Sequence, residues 1–201
     1  MFVLTADQRA STREGDHVAA LTESLRPWFA AHSDAVALPL ERTVGDEVQT
    51  VLTSADAALD LALTLARKGK WSVGIGAGPV DEPLGESARA SSGPAFVAAR
   101  AAVERAKLKS EPVPLVVAGT HDGAAEAATA VVQLLASVIR RRSEAGWEVA
   151  DLLASGLNQR EAAARLEISE QAVSQRVASA MIDEERRARP VAARLIDAAG
   201  R

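Results

Sequence analysis

The chain has no cysteine and no tyrosine, and only three tryptophans and three phenylalanines among its 201 residues. Without cysteine, disulfides, thiolate catalysis and thiolate-bound zinc are excluded. With so few aromatics, the core has to be closed by Ala, Val and Leu, and such small side chains require close approach between elements. No uninterrupted apolar run reaches the roughly 18 residues of a membrane span, so none is expected. The opening MFVLTADQR lacks the basic head and apolar segment of a signal peptide, which points to a cytoplasmic protein. The three histidines, His17, His32 and His121, are scattered, which argues against a histidine metal site. The glycines of Gly74-Ile75-Gly76-Ala77-Gly78 run into Pro79 rather than a helix, so they are not a dinucleotide fingerprint. Neither a Walker A motif nor a nucleophile elbow is present.

What is present is a folded composition, 48% hydrophobic and 25% charged, rich in the best helix former. The net charge of −4 hides an asymmetry: residues 1–137 carry −5 and residues 138–201 carry +1. The C-terminal third is thus the less acidic part and the better candidate for meeting an anionic partner.

Along the chain, Phe2 to Ala6 reads as a short buried strand, followed by Asp7 and a polar loop, Gln8 to Thr12. From about Arg13 to Ala31, Val18, Leu21, Leu25, Trp28 and Phe29 recur at helical spacing. Ala35 to Val44 alternates, with Val36, Leu38, Leu40 and Val44 expected on one side. Pro39 cannot donate to a ladder, which assigns this strand to an edge or to a bulge. Gly45-Asp46 turns the chain, and Glu47 to Leu52 returns. Ser54 is the expected N-cap of a helix to Arg67. Trp71 to Gly76 is the next strand, Gly93-Pro94 opens a helix to about Leu108, and Val113 to Ala118 closes the series. The order β-α-β-β-α-β-α-β implies an α+β, split-βαβ, ferredoxin-like N-terminal domain.

From Asp122 the pattern is wholly helical. Ala124, Ala127, Val131, Leu134, Leu135 and Val138 are expected to form the buried face of a long helix ending at Arg140-Arg141-Arg142. That basic triplet either compensates the helix dipole or contacts phosphate. Beyond it, "LNQREAAARLEISEQAVSQRVASA" (157–180) has the build of a helix-turn-helix, preceded by a helix over 147–153. Asn158 is the expected cap of the first helix, with Ala162, Ala163 and Leu166 inward. Ile168 plugs the core, and Ser169 caps a second helix with Ala172, Val173 and Val177 inward. Glu170, Gln171, Ser174, Gln175 and Arg176 then face out, mostly types that read base edges. Glu167 stands where such turns usually place glycine. The alternative is a helical hairpin used only for packing.

The turn "TVGDEVQ" (43–49) raises a second question. If the first strand pairs with the third, Asp7 lies beside Asp46 and Glu47, and carboxylates at strand ends are what a Mg²⁺ site uses. The alternative is that Gly45-Asp46 serves the hairpin's backbone and Asp7 caps the polar loop.

Resemblances sharpen both readings. "VADLLASGLNQREAAARLEISEQAVSQRV" resembles the DNA-binding module of LuxR-type activators and the promoter-reading region of sigma factors. "TADQRAST", "TVGDEVQ", "VGIGAG" and "SGPAFVAARAAVERAK" together resemble the SatD family, and more distantly the palm domain of class III nucleotidyl cyclases and GGDEF proteins. That resemblance implies a palm-like domain with metal ligands at Asp7, Asp46 and Glu47, and Mg²⁺ with a nucleotide as its ligand or effector. The patterns differ in places. Phe96 stands where cyclases have an asparagine four residues before Arg100, Val44 replaces the first glycine of GGDEF, and Ala10 replaces a second acid. The expected organisation is a palm-like sensor or dimerisation domain (1–118), a connecting helix (119–144) and a helix-turn-helix domain (145–201). The expected function is a homodimeric transcriptional regulator that binds double-stranded DNA. Ser169, Gln171, Ser174, Gln175 and Arg176 would lie in the groove, with Arg160 and Arg165 on phosphates. A metal-dependent nucleotide-binding or nucleotide-processing protein is the competing expectation.

Overall fold

The structure, a computed structural model, describes residues 1–9 and 15–201. The middle of the polar loop, Ala10 and the helix start expected near Arg13 lie outside the described residues. The described residues form a mixed α+β fold with one five-stranded sheet and eight α-helices.

Strand β1 (Phe2–Gln8) is the centre of the sheet and is covered on both sides. Helix α1 (Val18–Ala31) buries Val18, Leu21 and Leu25, and Asp16 Oδ1 accepts from the Val18 amide at 2.9 Å to start it. Strand β2 (Val36–Arg42) is at one edge of the sheet, pairing antiparallel with β3 (Glu47–Leu52). Its register shifts on both sides of Leu38, flanking Pro39. The expected one-sided alternation is therefore corrected. Leu38 packs on one face of the sheet, Val36 and Leu40 on the other, and Val44 lies in the turn, 73% exposed. A bulge rotates the side chains that follow it.

Ser54 caps α2 (Ala55–Lys68), accepting from the Ala57 amide, and Gly69 ends it in the left-handed conformation. Strand β4 (Trp71–Ala77), helix α3 (Pro94–Ala106) and strand β5 (Leu115–Gly119) follow. The sheet order is β2-β3-β1-β4-β5, antiparallel except for the β4–β5 pair. A Cβ on Gly74 would stand 2.3 Å from the Val103 amide, and one on Gly76 2.1 Å from the Ala95 carbonyl oxygen. Glycine at these two positions lets α3 lie directly against β4.

Helix α4 (Asp122–Arg141) is the one helix among the described residues whose length and composition would let it cross a membrane, and it packs on the sheet. Its buried face needs correction. Ala125, Ala128, Val132, Leu135, Ala136 and Ile139 are buried, whereas Ala127 and Leu134 point outward. Residues 124–138 are apolar on almost every side, so spacing alone does not choose between the faces.

Helices α5 (Glu144–Ala154), α6 (Gln159–Leu166) and α7 (Glu170–Ser179) share a separate small core of Val149, Ala162, Ala163, Val173 and Val177. The chain then returns. In α8 (Ile182–Ala199), Ala192, Ala193, Ile196 and Ala199 enter the core under the sheet. The expected 145–201 unit thus includes a last helix whose apolar face belongs to the first core.

Candidate functional site

Helices α6 and α7 are built by local chemistry. Asn158 accepts from the Glu161 amide at 3.0 Å while the Glu161 carboxylate accepts from the Asn158 amide at 2.8 Å, a complete capping box. Ser169 caps α7 by accepting from Ala172. Between the helices, Glu167 adopts φ 56 and ψ 38, the left-handed conformation that its place in the turn demands. Ile168 and Leu166 seal the small core beneath.

On α7, Val173 and Val177 point inward, and Ser169, Gln171, Ser174 and Gln175 are exposed. Arg160 and Arg165 on α6 are also exposed and make no ion pair among the described residues. Arg176 differs: it is half-buried and bonded to Glu148 at 2.9 Å, so it would have to leave that carboxylate to reach a ligand. Arg142, a candidate phosphate contact in the basic triplet, is corrected outright. Its side chain is 2% exposed and pairs with Glu185 at 2.5 Å, while Arg140 and Arg141 remain exposed.

The expected carboxylate site lies at the far end of β1. Asp7 is in register with Glu47, and the Gln8 amide donates to the Asp46 carbonyl oxygen at 3.3 Å, which brings the hairpin turn against the strand end. Both in-register acids carry a counter-charge. Lys107 reaches Asp7 at 2.8 Å, and Arg100 reaches Glu47 at 2.8 Å. Thr43 Oγ1 also donates to Glu47 at 2.6 Å. Burial pulls the Lys107 ammonium down, but Asp7 and Glu104 outweigh it and hold its pKa above the ordinary value. The Asp46 carboxylate makes no hydrogen bond or ion pair among the described residues. No cluster of three or more acids or histidines fit to hold a metal occurs among them.

A third arrangement was not legible in the sequence: the junction between the three-helix unit and the sheet layer. Trp28 Nε1 donates to Asp60 at 2.7 Å, and Arg189 bonds Asp60 at 2.5 Å and Glu185 at 2.8 Å. Glu185 accepts from Arg142, which also donates twice to the Ala180 carbonyl oxygen at the end of α7. Beside this chain, Arg67 forms a two-bond fork with Asp151 at 2.7 and 2.8 Å. The Trp147 ring lies under the Arg67 and Arg142 guanidinium groups, 3.6 and 4.4 Å from its centroid. A cleft of about 800 Å³ opens here between α2 and the three helices. The only sequence signal for the junction is the apolar period in α8, Ala192, Ala193, Ile196 and Ala199.

No protein-family model matches the chain, and no curated protein or solved structure matches it. The resemblances to the SatD, palm-type and LuxR-type families therefore stand on the quoted motifs alone.

Proposed function

We propose that the protein is a cytoplasmic DNA-binding transcriptional regulator that acts as a homodimer. In this reading α5 to α7 are a helix-turn-helix domain, and α7 lies in the major groove of double-stranded DNA. The sheet, read as a palm-like, ferredoxin-related domain by its β2-β3-β1-β4 order, serves sensing or dimerisation. The observation that carries the reading is the exposure of Gln171, Ser174 and Gln175 on one side of α7, while Val173 and Val177 fill the core behind them. Glutamine reads adenine bidentately, and serine bonds to any base. Arg160 and Arg165 flank that surface as phosphate contacts.

The test is retention of fragments from random and self-upstream DNA, followed by sequencing. A palindromic motif lost on Gln171→Ala with Gln175→Ala supports the reading. Absence of enrichment at low salt, where phosphate contacts are strongest, would reduce α5–α7 to a packing unit.

A second reading has its own observation: the Asp46 carboxylate, without a partner among the described residues, lies next to Asp7 and Glu47 at the strand end. A divalent cation with a nucleotide would bind there if Lys107 gave up Asp7, and this nucleotide could be an effector or a substrate. Calorimetric titration with Mg²⁺ and nucleoside triphosphates separates the two. Binding abolished by Asp46→Ala favours the second reading, and no heat at millimolar ligand removes it.

A further inference from the structure

Helix α4 is apolar on two sides, and only one of them is used. Its outward side presents Gly123, Ala127, Ala130, Leu134, Ser137 and Arg141, alternately four and three residues apart. All are exposed except the half-buried Ser137, and Leu134 is 66% exposed. That spacing is the seam of a two-helix coiled contact. Half-buried Val138 widens it, and no charged residue interrupts the helix between Glu126 and Arg140.

The geometry points to a second copy of this chain as the occupant, its α4 lying antiparallel across the first about a two-fold axis near Val132. This rests on the reading of the protein as a dimeric regulator and names the surface that makes the dimer. Three properties of α4 select this partner and this direction.

The first is charge. Asp122 opens the helix and Arg141 ends it, both exposed and without a partner among the described residues. Antiparallel pairing sets each Asp122 beside the partner's Arg141, twice by symmetry. A parallel pair would instead put Asp122 on Asp122 and the arginines on each other. The helix dipoles also oppose favourably only in the antiparallel case.

The second is size. About an axis near Val132, Leu134 faces the partner's Ala130, Ala127 faces the partner's Ser137, and Gly123 faces the partner's Arg141. Each larger side chain meets a small one, which lets the backbones approach.

The third is reach. The helix has 20 residues, and a rise of about 1.5 Å per residue separates its ends by roughly 30 Å. Antiparallel pairing therefore places the two starting points of the three-helix units about that far apart. Successive major grooves on one side of B-DNA are about 34 Å apart.

The natural absence of cysteine makes the test clean. In the full-length Ala127→Cys/Ser137→Cys variant the two thiols sit ten positions apart on one helix, about 15 Å, too far to join within one chain. Mild oxidation should give a covalent dimer on a non-reducing gel for this double variant and little or none for either single variant. In sedimentation equilibrium the wild type should be a dimer, and Leu134→Glu should weaken the association at least tenfold with an unchanged circular dichroism spectrum.

A wild-type dimer that survives Leu134→Glu and fails to cross-link would overturn this interface while leaving the dimeric regulator standing. Cross-linking of the Ala127→Cys single variant would mark a parallel pair and overturn the direction. A wild type that is monomeric at all concentrations removes the interface and the dimer together, and the DNA-selection experiment then judges the regulator reading by itself.

Discussion

The Arg142 guanidinium donates to the Ala180 carbonyl oxygen through Nε at 3.1 Å and Nη2 at 3.0 Å. This bond ties the last turn of α7 to the end of α4, across 38 residues of sequence. Because Arg142 also holds Glu185, and Glu185 holds Arg189, the orientation of α7 is set by charges rooted in the sheet layer.

Arg142→Met should therefore be strongly destabilising. It removes a nearly buried cation and leaves Glu185 with Arg189 alone, a change worth about 3 kcal/mol at the lower end for a broken buried pair. Urea denaturation should show a lower midpoint with an unchanged slope. Arg142→Lys should not restore it, since an ammonium cannot reproduce the fork that bonds the carbonyl and the carboxylate together.

Glu167 is expected to be a site of stabilisation. A residue with a Cβ pays about 1–2 kcal/mol in the left-handed region, and glycine returns part of that gain as unfolded-chain entropy. Glu167→Gly should thus add about 0.5–1 kcal/mol, measured by chemical denaturation. Glu167→Ala serves as the control, because it removes the charge and keeps the strain.

DNA binding should separate into two classes of variant. Gln171→Ala and Gln175→Ala should each cost about 1–3 kcal/mol on the selected sequence and little on random DNA. Arg160→Ala and Arg165→Ala should weaken binding to all sequences alike and lower the slope of log K against log salt by about one per protomer, about two for the dimer. A salt titration in fluorescence anisotropy reads both. Equal losses on specific and random DNA for the glutamine variants would remove them from base reading.

Acid should destabilise the fold partly through Glu111. Hydrogen bonding from Gln133, and then from Arg105, holds its carboxyl below the ordinary value. A carboxyl lowered on folding contributes stability fully above its unfolded pKa and loses it as pH falls through the lower folded value. Asp16 shifts the same way, through the Val18 amide and then Arg42. Glu111→Gln should flatten the fall in melting temperature below about pH 4.5. An unchanged profile would mean that Glu111 does not contribute.

Local chemistry was legible wherever a residue acts on its own neighbours. Ser54, Asn158 and Ser169 accept from amides three positions on, because capping needs only a short polar side chain at the first turn. Pro39 marked an edge strand because it lacks an amide proton. The inward Val173 and Val177 followed from helical period. Asp7 beside the Asp46 turn followed once β1 and β3 were paired.

The sequence by itself determined most of the elements, the caps at Ser54, Asn158 and Ser169, and an interior of Ala, Val and Leu that an aromatic-poor chain must build. Tertiary structure decided which apolar face of α4 is covered, that Arg142 is interior, that Lys107 and Arg100 occupy Asp7 and Glu47, and that α8 returns to the sheet. Each of these joins residues far apart in the chain, where periodicity carries no information. Alanine-rich helices offer several nearly equivalent faces, and only the packing of the whole molecule chooses among them.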